Sequence, residues 1–327
     1  WFANDWSTAT ASGDKIAVAG IIVVEYLNYT AEAIIKADAQ INQNPHTVTS
    51  QPVVVQSTVV NQPAHVVGNF SLPDPVGFVK DLIPAKGELK KDYKEKAKKA
   101  VEDNLSPLGT DGAQGAVGAT VGVYVYDDSS IARIEDGVKL HADSLNVDAG
   151  TAVAAVTIGA SAGKSEKMAF NGTFLANVVM NTTIAQIENG AVINVGSALA
   201  LDSATTAPAD NGSVIINAKD YILDIILAGG VAVSGSTGIG VSAGVGYVSR
   251  NTQAVIGDLA SDATTGTKGS FSAVGDVRLK ATNSGFIGNF EHGLTGGRRQ
   301  AVPAFLVHHR RAHQRSPVQF EHVLGLA

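Results

Sequence analysis

One pattern recurs along this chain and limits what it can become. Thr182-Thr-Ile-Ala-Gln-Ile-Glu-Asn-Gly-Ala-Val-Ile-Asn194 places a small polar pair before an Ala and an aliphatic residue two apart. A polar turn follows, and then a second alternating pair closes on a polar residue. Ser129 to His141 repeats the pattern without a gap. Thr30 to Asn42 repeats it with Ala37-Asp38 in place of the Asn-Gly turn, and Asn251 to Asp258 is the weakest copy. Aligning Ala33, Ala132, Ala185 and Ala254 gives spacings of 99, 53 and 69 residues. Such spacing is too irregular for a helical repeat array but suits stacked coils that accept insertions.

The segments between the anchors alternate with period two. Thr120 to Tyr126, Ser144 to Ala149, Ser213 to Ala218 and Asp276 to Ala281 all read as strands, and the last three form a second motif that follows an anchor and ends in Ala. A third class is rich in Gly and Ala, at Thr151 to Gly163 and Gly229 to Gly246. Three classes in fixed order predict a three-sided coil. Stacked coils would turn each side into a parallel sheet around a narrow core. A narrow core explains why aromatic residues are only 6% of a chain that holds 35 Gly. Asn194 and Asn217 are candidates for ladders at the corners. Coils of about 20 to 30 residues would put two or three turns in each of the shorter spacings. The expected fold is therefore all-β, a parallel β-helix or β-solenoid. An antiparallel β-sandwich is the alternative, although it calls for more Asn-Gly and Asp-Gly hairpin turns.

The expected organisation has four parts. Residues 1–70 are first coils, and residues 71–118 are a Pro-punctuated insertion whose Lys-rich stretch from Glu88 to Asn104 carries one apolar stripe at helical spacing. Residues 119–290 are the main solenoid. Residues 291–327 hold five of the eight His together with Arg298, Arg299, Arg310, Arg311 and Arg315, and read as a poorly ordered or non-native basic tail. The chain begins with Trp rather than Met, so it reads as a fragment with any signal peptide upstream.

The ordered series of anchor, Leu-x-Val-x-Ala and Gly/Ala-rich strand resembles repeats of very large bacterial surface proteins. These are the filamentous-haemagglutinin-like and leukotoxin-like adhesins and the β-helical passenger domains of autotransporters. The resemblance covers about residues 16–70 and 119–290. It implies a right-handed parallel β-helix that is exported, displayed at the cell surface, and active in adhesion or as a stalk. Host-cell or matrix glycans and proteins are the partners it implies.

Chemistry is harder to place. A net charge of -6 provides no basic face for nucleic acid, and the absence of Cys excludes disulfides, thiolate metal sites and a Cys nucleophile. The run Ile16 to Val24 is under half of what spans a bilayer as a helix. Gly235 to Gly244 invites a phosphate-loop reading, but no Gly-Lys-Ser/Thr follows and a strand is expected next. His308, His309 and His313 offer imidazoles without an accompanying carboxylate. Acids at Asp127, Asp128, Glu135, Asp136, Asp143, Asp148, Asp220 and Asp224 are scattered through the β region. Glu135-Asp136 and Glu188-Asn189 share one anchor turn, as a β-helical polysaccharide lyase or glycosidase would require of acid–base carboxylates on neighbouring coils. A turn acid is usually just solvated, and that is the preferred reading of them here. His141 is the one His in the strong β region, so no Ser-His-Asp set can be formed there. Asn28, Asn69, Asn104, Asn171, Asn181 and Asn211 head Asn-x-Ser/Thr sequons, which turn and corner chemistry accounts for without glycans. No catalytic, cofactor-binding or metal residue is nominated, no cofactor is implied, and the expected function is non-enzymatic. A carbohydrate-active enzyme and a surface-layer or biofilm matrix protein are the alternatives.

Overall fold

The structure is a computed structural model and describes residues 4–43, 51–69, 110–112, 114–196, 212–259, 268–296 and 308–315. All secondary structure among them is strand. In chain order the strands are β1 (Asn4–Thr8), β2 (Ser12–Gly13), β3 (Ile16–Ile35), β4 (Gln40–Ile41), β5 (Val53–Asn61) and β6 (Ala64–Gly68). Next come β7 (Thr110–Gly112), β8 (Gly115–Ile134), β9 (Lys139–Ala142), β10 (Leu145–Ser165), β11 (Met168–Ile187) and β12 (Val192–Val195). The last are β13 (Val214–Ser234), β14 (Thr237–Ile256), β15 (Ser270–Ala273), β16 (Val277–Gly296) and β17 (His308–Arg315).

Every pairing is parallel. The sandwich alternative is thereby excluded, because its sheets would be antiparallel. One long sheet stacks β3, β8, β11, β14 and β17; the second is built on β6, β10, β13 and β16, with β1 outermost; a third, narrow sheet stacks β4, β9, β12 and β15. Each coil runs along the first long sheet, turns through the narrow one, and returns along the second. The fold is a parallel β-solenoid. The anchors fix its register residue for residue: Ala185 pairs with Ala132 and with Ala254, and Ala33 pairs with Ala132. The second motif does the same in the other long sheet, where Ala149 pairs with Ala218 and Ala218 with Ala281.

Coil length departs from expectation. Gly115 pairs with Met168 and Met168 with Thr237, so each spacing holds one large coil rather than two or three small ones. The Gly/Ala-rich segment Thr151 to Gly163 is not a third side but the far half of β10, and the third side is the short second half of each anchor. Strands of 20 or 21 residues are roughly 65 Å long, while five stacked levels span only about 20 Å. The described coils therefore form a slab, wider than it is tall, instead of a rod.

The expected helix at Glu88 to Asn104 lies outside the described residues. Strand already begins at Thr110 and Gly115, ahead of the boundary set after residue 118. Beyond Phe290, β16 continues to Gly296, and β17 lies within the basic tail and pairs with β14 from Gly244 to Asn251.

The interior between the long sheets is banded. Next to the narrow sheet, Ile134, Leu140, Leu145, Ile187 and Ile193 form a continuous apolar core. A polar belt follows. Ser130 Oγ donates to Ser57 Oγ at 2.9 Å and Thr183 Oγ1 to Thr151 Oγ1 at 2.8 Å; Asn61 Nδ2 donates to Asp128 Oδ2 at 3.1 Å and Asn181 Nδ2 to Asp220 Oδ1 at 2.8 Å. A second apolar band is built on Tyr124, Tyr126, Val153, Val179 and Ile222. Beyond it the sheets close on small residues, where a Cβ added at Gly159 would come within 2.8 Å of Leu175.

The corner turn shows why the first anchor tolerates Asp38. Gly137 has φ +73° and Asp38, one coil away, has φ 63°, the left-handed region that Asp enters at modest cost. A Cβ at Gly137 would lie 2.5 Å from Asp38 Oδ1. Gly137→Ala is expected to lower stability by about 1–2 kcal/mol, and Asp38→Gly to raise it. Denaturant midpoints measure both, and an unchanged Gly137→Ala midpoint would contradict the strain.

Candidate functional site

The acids singled out from sequence turn out to be partnered. Glu135 Oε2 accepts from Ala37 N at 2.9 Å, and Glu188 Oε2 accepts from Asp136 N at 3.0 Å. Asp136 Oδ1 accepts from Gly190 N at 2.8 Å, and Asp258 Oδ1 from Asn189 N at 3.0 Å. Each corner carboxylate thus ties its turn to the next coil. Burial raises Glu135, but the Ala37 amide and Lys36 more than offset it, and its pKa lies below the usual value; burial keeps Glu188 above it. The corner ladder is made of carboxylates rather than of Asn194 or Asn217, which pair with His141 and Asp148 in the sheets.

Asp127 accepts from Tyr26 Oη at 2.8 Å, Asp143 from Gln51 N at 2.9 Å, and Asp148 lies 3.7 Å from Lys219 Nζ. Asp128, Asp220 and Asp224 point inward and are buried. Burial pushes Asp128 and Asp224 up to about 6. His141 faces Gln43 and Asn194. Gly235 sits in the turn before β14, which is strand from Thr237, as expected against a phosphate loop. Among the sequons, Asn69, Asn171 and Asn181 are buried; Asn171 and Asn181 are mid-strand, a location that corner chemistry does not describe. Asn104 and Asn211 lie outside the described residues.

Sequence reasoning did not nominate the one cluster of metal-ligand side chains found among the described residues, Asp5, Glu25 and His65. Its placement follows from register. Asp5 on β1 stacks over His65 on β6, while Glu25 on β3 stacks over Tyr124 on β8, so the two carboxylates face each other across the outermost coil. The His65 ring is fully buried and lies on the Tyr124 ring, with centroids 4.0 Å apart. His65 Nδ1 is 3.2 Å from Glu25 Oε2, yet neither ring nitrogen makes a well-oriented hydrogen bond. Burial pushes the imidazole down to about 4, and burial together with Asp5 raises Glu25. No spacing rule marks this trio in sequence, since the residues lie on three strands and only β3 carries an anchor.

Comparison with protein families, curated proteins and solved structures finds no match. The functional reading rests on the chain's own surfaces.

Among the described residues, one extended surface is the outer face of the first long sheet. Six alternate positions on each of four strands, 16–26, 115–125, 168–178 and 237–247, point outward and carry no charged residue. Ile22 and Val24 are 76% and 72% exposed, and Phe170, Phe174 and Tyr247 are also exposed. The corresponding outer face of the second sheet is already buried, with Val156, Ile158, Ile225 and Leu227 clustered there. The pattern is locally inverted: apolar side chains face out while Asn171, Thr173 and Asn177 face in.

Proposed function

We propose that this chain is a segment of an exported bacterial surface protein of the adhesin or exoprotein kind, and that it acts through a flat contact face rather than through catalysis. The observation that carries this reading is the charge-free half of the outer face of the first long sheet, at positions 16–26, 115–125, 168–178 and 237–247. Eleven residues of strand across four strands make roughly 36 Å by 19 Å, about 700 Å², larger than the apolar patches ordinary monomers expose. A stable interface buries about 800 Å² on each partner. Flat sheets pack face to face at about 10 Å with aligned strands. The occupant that fits area, shape and absence of charge is the same face of a second copy, so the adhesive contact is between copies of this chain on neighbouring cells or fibres. Glycans, with their dense hydroxyls, suit this face less well.

The enzyme alternative would use Glu135 and Glu188, whose oxygens already hold the turns of adjacent coils. The test uses the full chain in sedimentation velocity and in surface display. A dimer that Val24→Asp or Phe174→Asp converts to monomer, with unchanged circular dichroism and loss of cell–cell attachment, supports the reading. A monomer at high micromolar concentration that binds host glycans, or polysaccharide turnover abolished by Glu188→Ala, would replace it.

A further inference from the structure

We infer that Asp5, Glu25 and His65 form a binding site for a single divalent transition-metal cation, with Zn²⁺ as the matching ion, at the outermost coil of the stack.

Three observations converge on this site. The ligand atoms of the three side chains lie within 4.8 Å of one another, against the ~3.4 Å that bonds of about 2.1 Å require at a tetrahedral centre. Modest side-chain rotation closes the difference. His65 is fully buried, with both ring nitrogens lacking a good hydrogen bond and Nδ1 turned toward Glu25. Buried polar groups without partners are rare, and each calls for an explanation. A bound cation supplies one, because it takes the imidazole lone pair that no donor satisfies. Finally, two carboxylates converge on one side of that ring with no Lys or Arg paired to Glu25 or Asp5 in any described ion pair. A cation removes their mutual repulsion.

The donor set decides the class of metal. One imidazole and two carboxylates suit Zn²⁺ and its first-row neighbours, whereas Ca²⁺ and Mg²⁺ prefer all-oxygen shells. Asp5 and Glu25 are only partly buried, so a water molecule can complete the coordination. Tyr124 supports the ring from below by stacking, which fixes its plane without using its nitrogens. The site ties β1 to β3 and β6, that is, the outermost strand of one long sheet to the other.

The test is titration of the chelator-treated full chain with Zn²⁺, followed by calorimetry and thermal melting. One equivalent bound with a rise in Tm is expected, with no comparable effect of Mg²⁺ or Ca²⁺. Glu25→Gln and Asp5→Asn are expected to weaken affinity at least tenfold. Because His65→Ala could unfold the coil, Co²⁺ replaces it as a check: visible bands of a low-coordinate centre appear in the native chain and are lost in Glu25→Gln. Absence of stoichiometric uptake would overturn the proposal. So would uptake that is undiminished in both carboxylate variants, since that places the metal at other histidines.

Discussion

Arg250→Ala lowers the stability of the solenoid by about 3–5 kcal/mol, the cost of leaving a buried charge without its partner. Arg250 Nε donates to Asp220 Oδ2 at 2.6 Å, and its terminal nitrogen donates to the backbone oxygens of Asp220 and Ser284 at 2.6 and 2.9 Å. Asp220 is buried, and Asn181 satisfies its other oxygen. Removing the guanidinium leaves the carboxylate in the polar belt with one neutral donor. The double variant Arg250→Met with Asp220→Leu recovers most of the loss, because replacing both members of a buried pair by apolar side chains is often close to neutral. Chemical denaturation at neutral pH measures both. A loss under about 1 kcal/mol for the single variant would mean that water reaches the pair, as at a surface salt bridge.

Asp224→Asn acts in the opposite direction. The carboxyl is fully buried, accepts from Asn177 Nδ2 at 2.6 Å through one oxygen, and has no partner for the other. Its pKa is pushed up to about 6 from 3.8. A folded value above the unfolded one means that the native state holds the proton more tightly. The stability this group contributes is therefore fully present below about pH 4 and lost as pH rises through 6. The difference corresponds to about 3 kcal/mol. The Asn variant keeps an oxygen for Asn177 and cannot ionise, so it is more stable than the parent at pH 8 by up to that amount and similar near pH 4. His65, pushed down to about 4, works the other way, losing stability as pH falls from 6.5 toward 4. Asp128 works in the same sense as Asp224. Both persist in the variant, so the difference between the two denaturation profiles isolates Asp224. Parallel profiles across pH 4–8 would show that Asp224 is not the titrating group.

The fold was largely legible because its register is written in small residues. Ala33, Ala132, Ala185 and Ala254 align in the sequence as they do in the sheet, and the Ala149, Ala218 and Ala281 column does the same. What was not legible was how far each strand runs. Gly150 lies between the Leu-x-Val-x-Ala motif and the Gly/Ala-rich segment, yet β10 passes through it without a turn, and its amide donates to Ser130 Oγ of the facing sheet at 3.2 Å. Strands usually end after five or six residues, so the Gly/Ala-rich half of β10 looked like a separate side. The interior was misread in part for the same reason. Asn177 and Asn181 point inward from the middle of β11, where Asp224 and Asp220 of the facing sheet accept from their amides. The Asp5, Glu25 and His65 cluster lay beyond sequence reasoning altogether. Its members are separated by tens of residues, and β1 and β6 carry no anchor to signal that they pair.

The unbroken 20-residue ladders also give the slab a direction of mechanical weakness. Tension along the stacking axis loads backbone bonds at the ends of a strand first and peels one coil from the next, each rupture needing little force. Tension along the strands loads some twenty bonds of a ladder together, and they must slip as one. A pulling experiment with handles on the two outermost coils should record a low sawtooth, and one with handles at opposite ends of β11 a single high rupture. A slab built this way withstands pulling best when its strands, rather than its stacking axis, lie along the load.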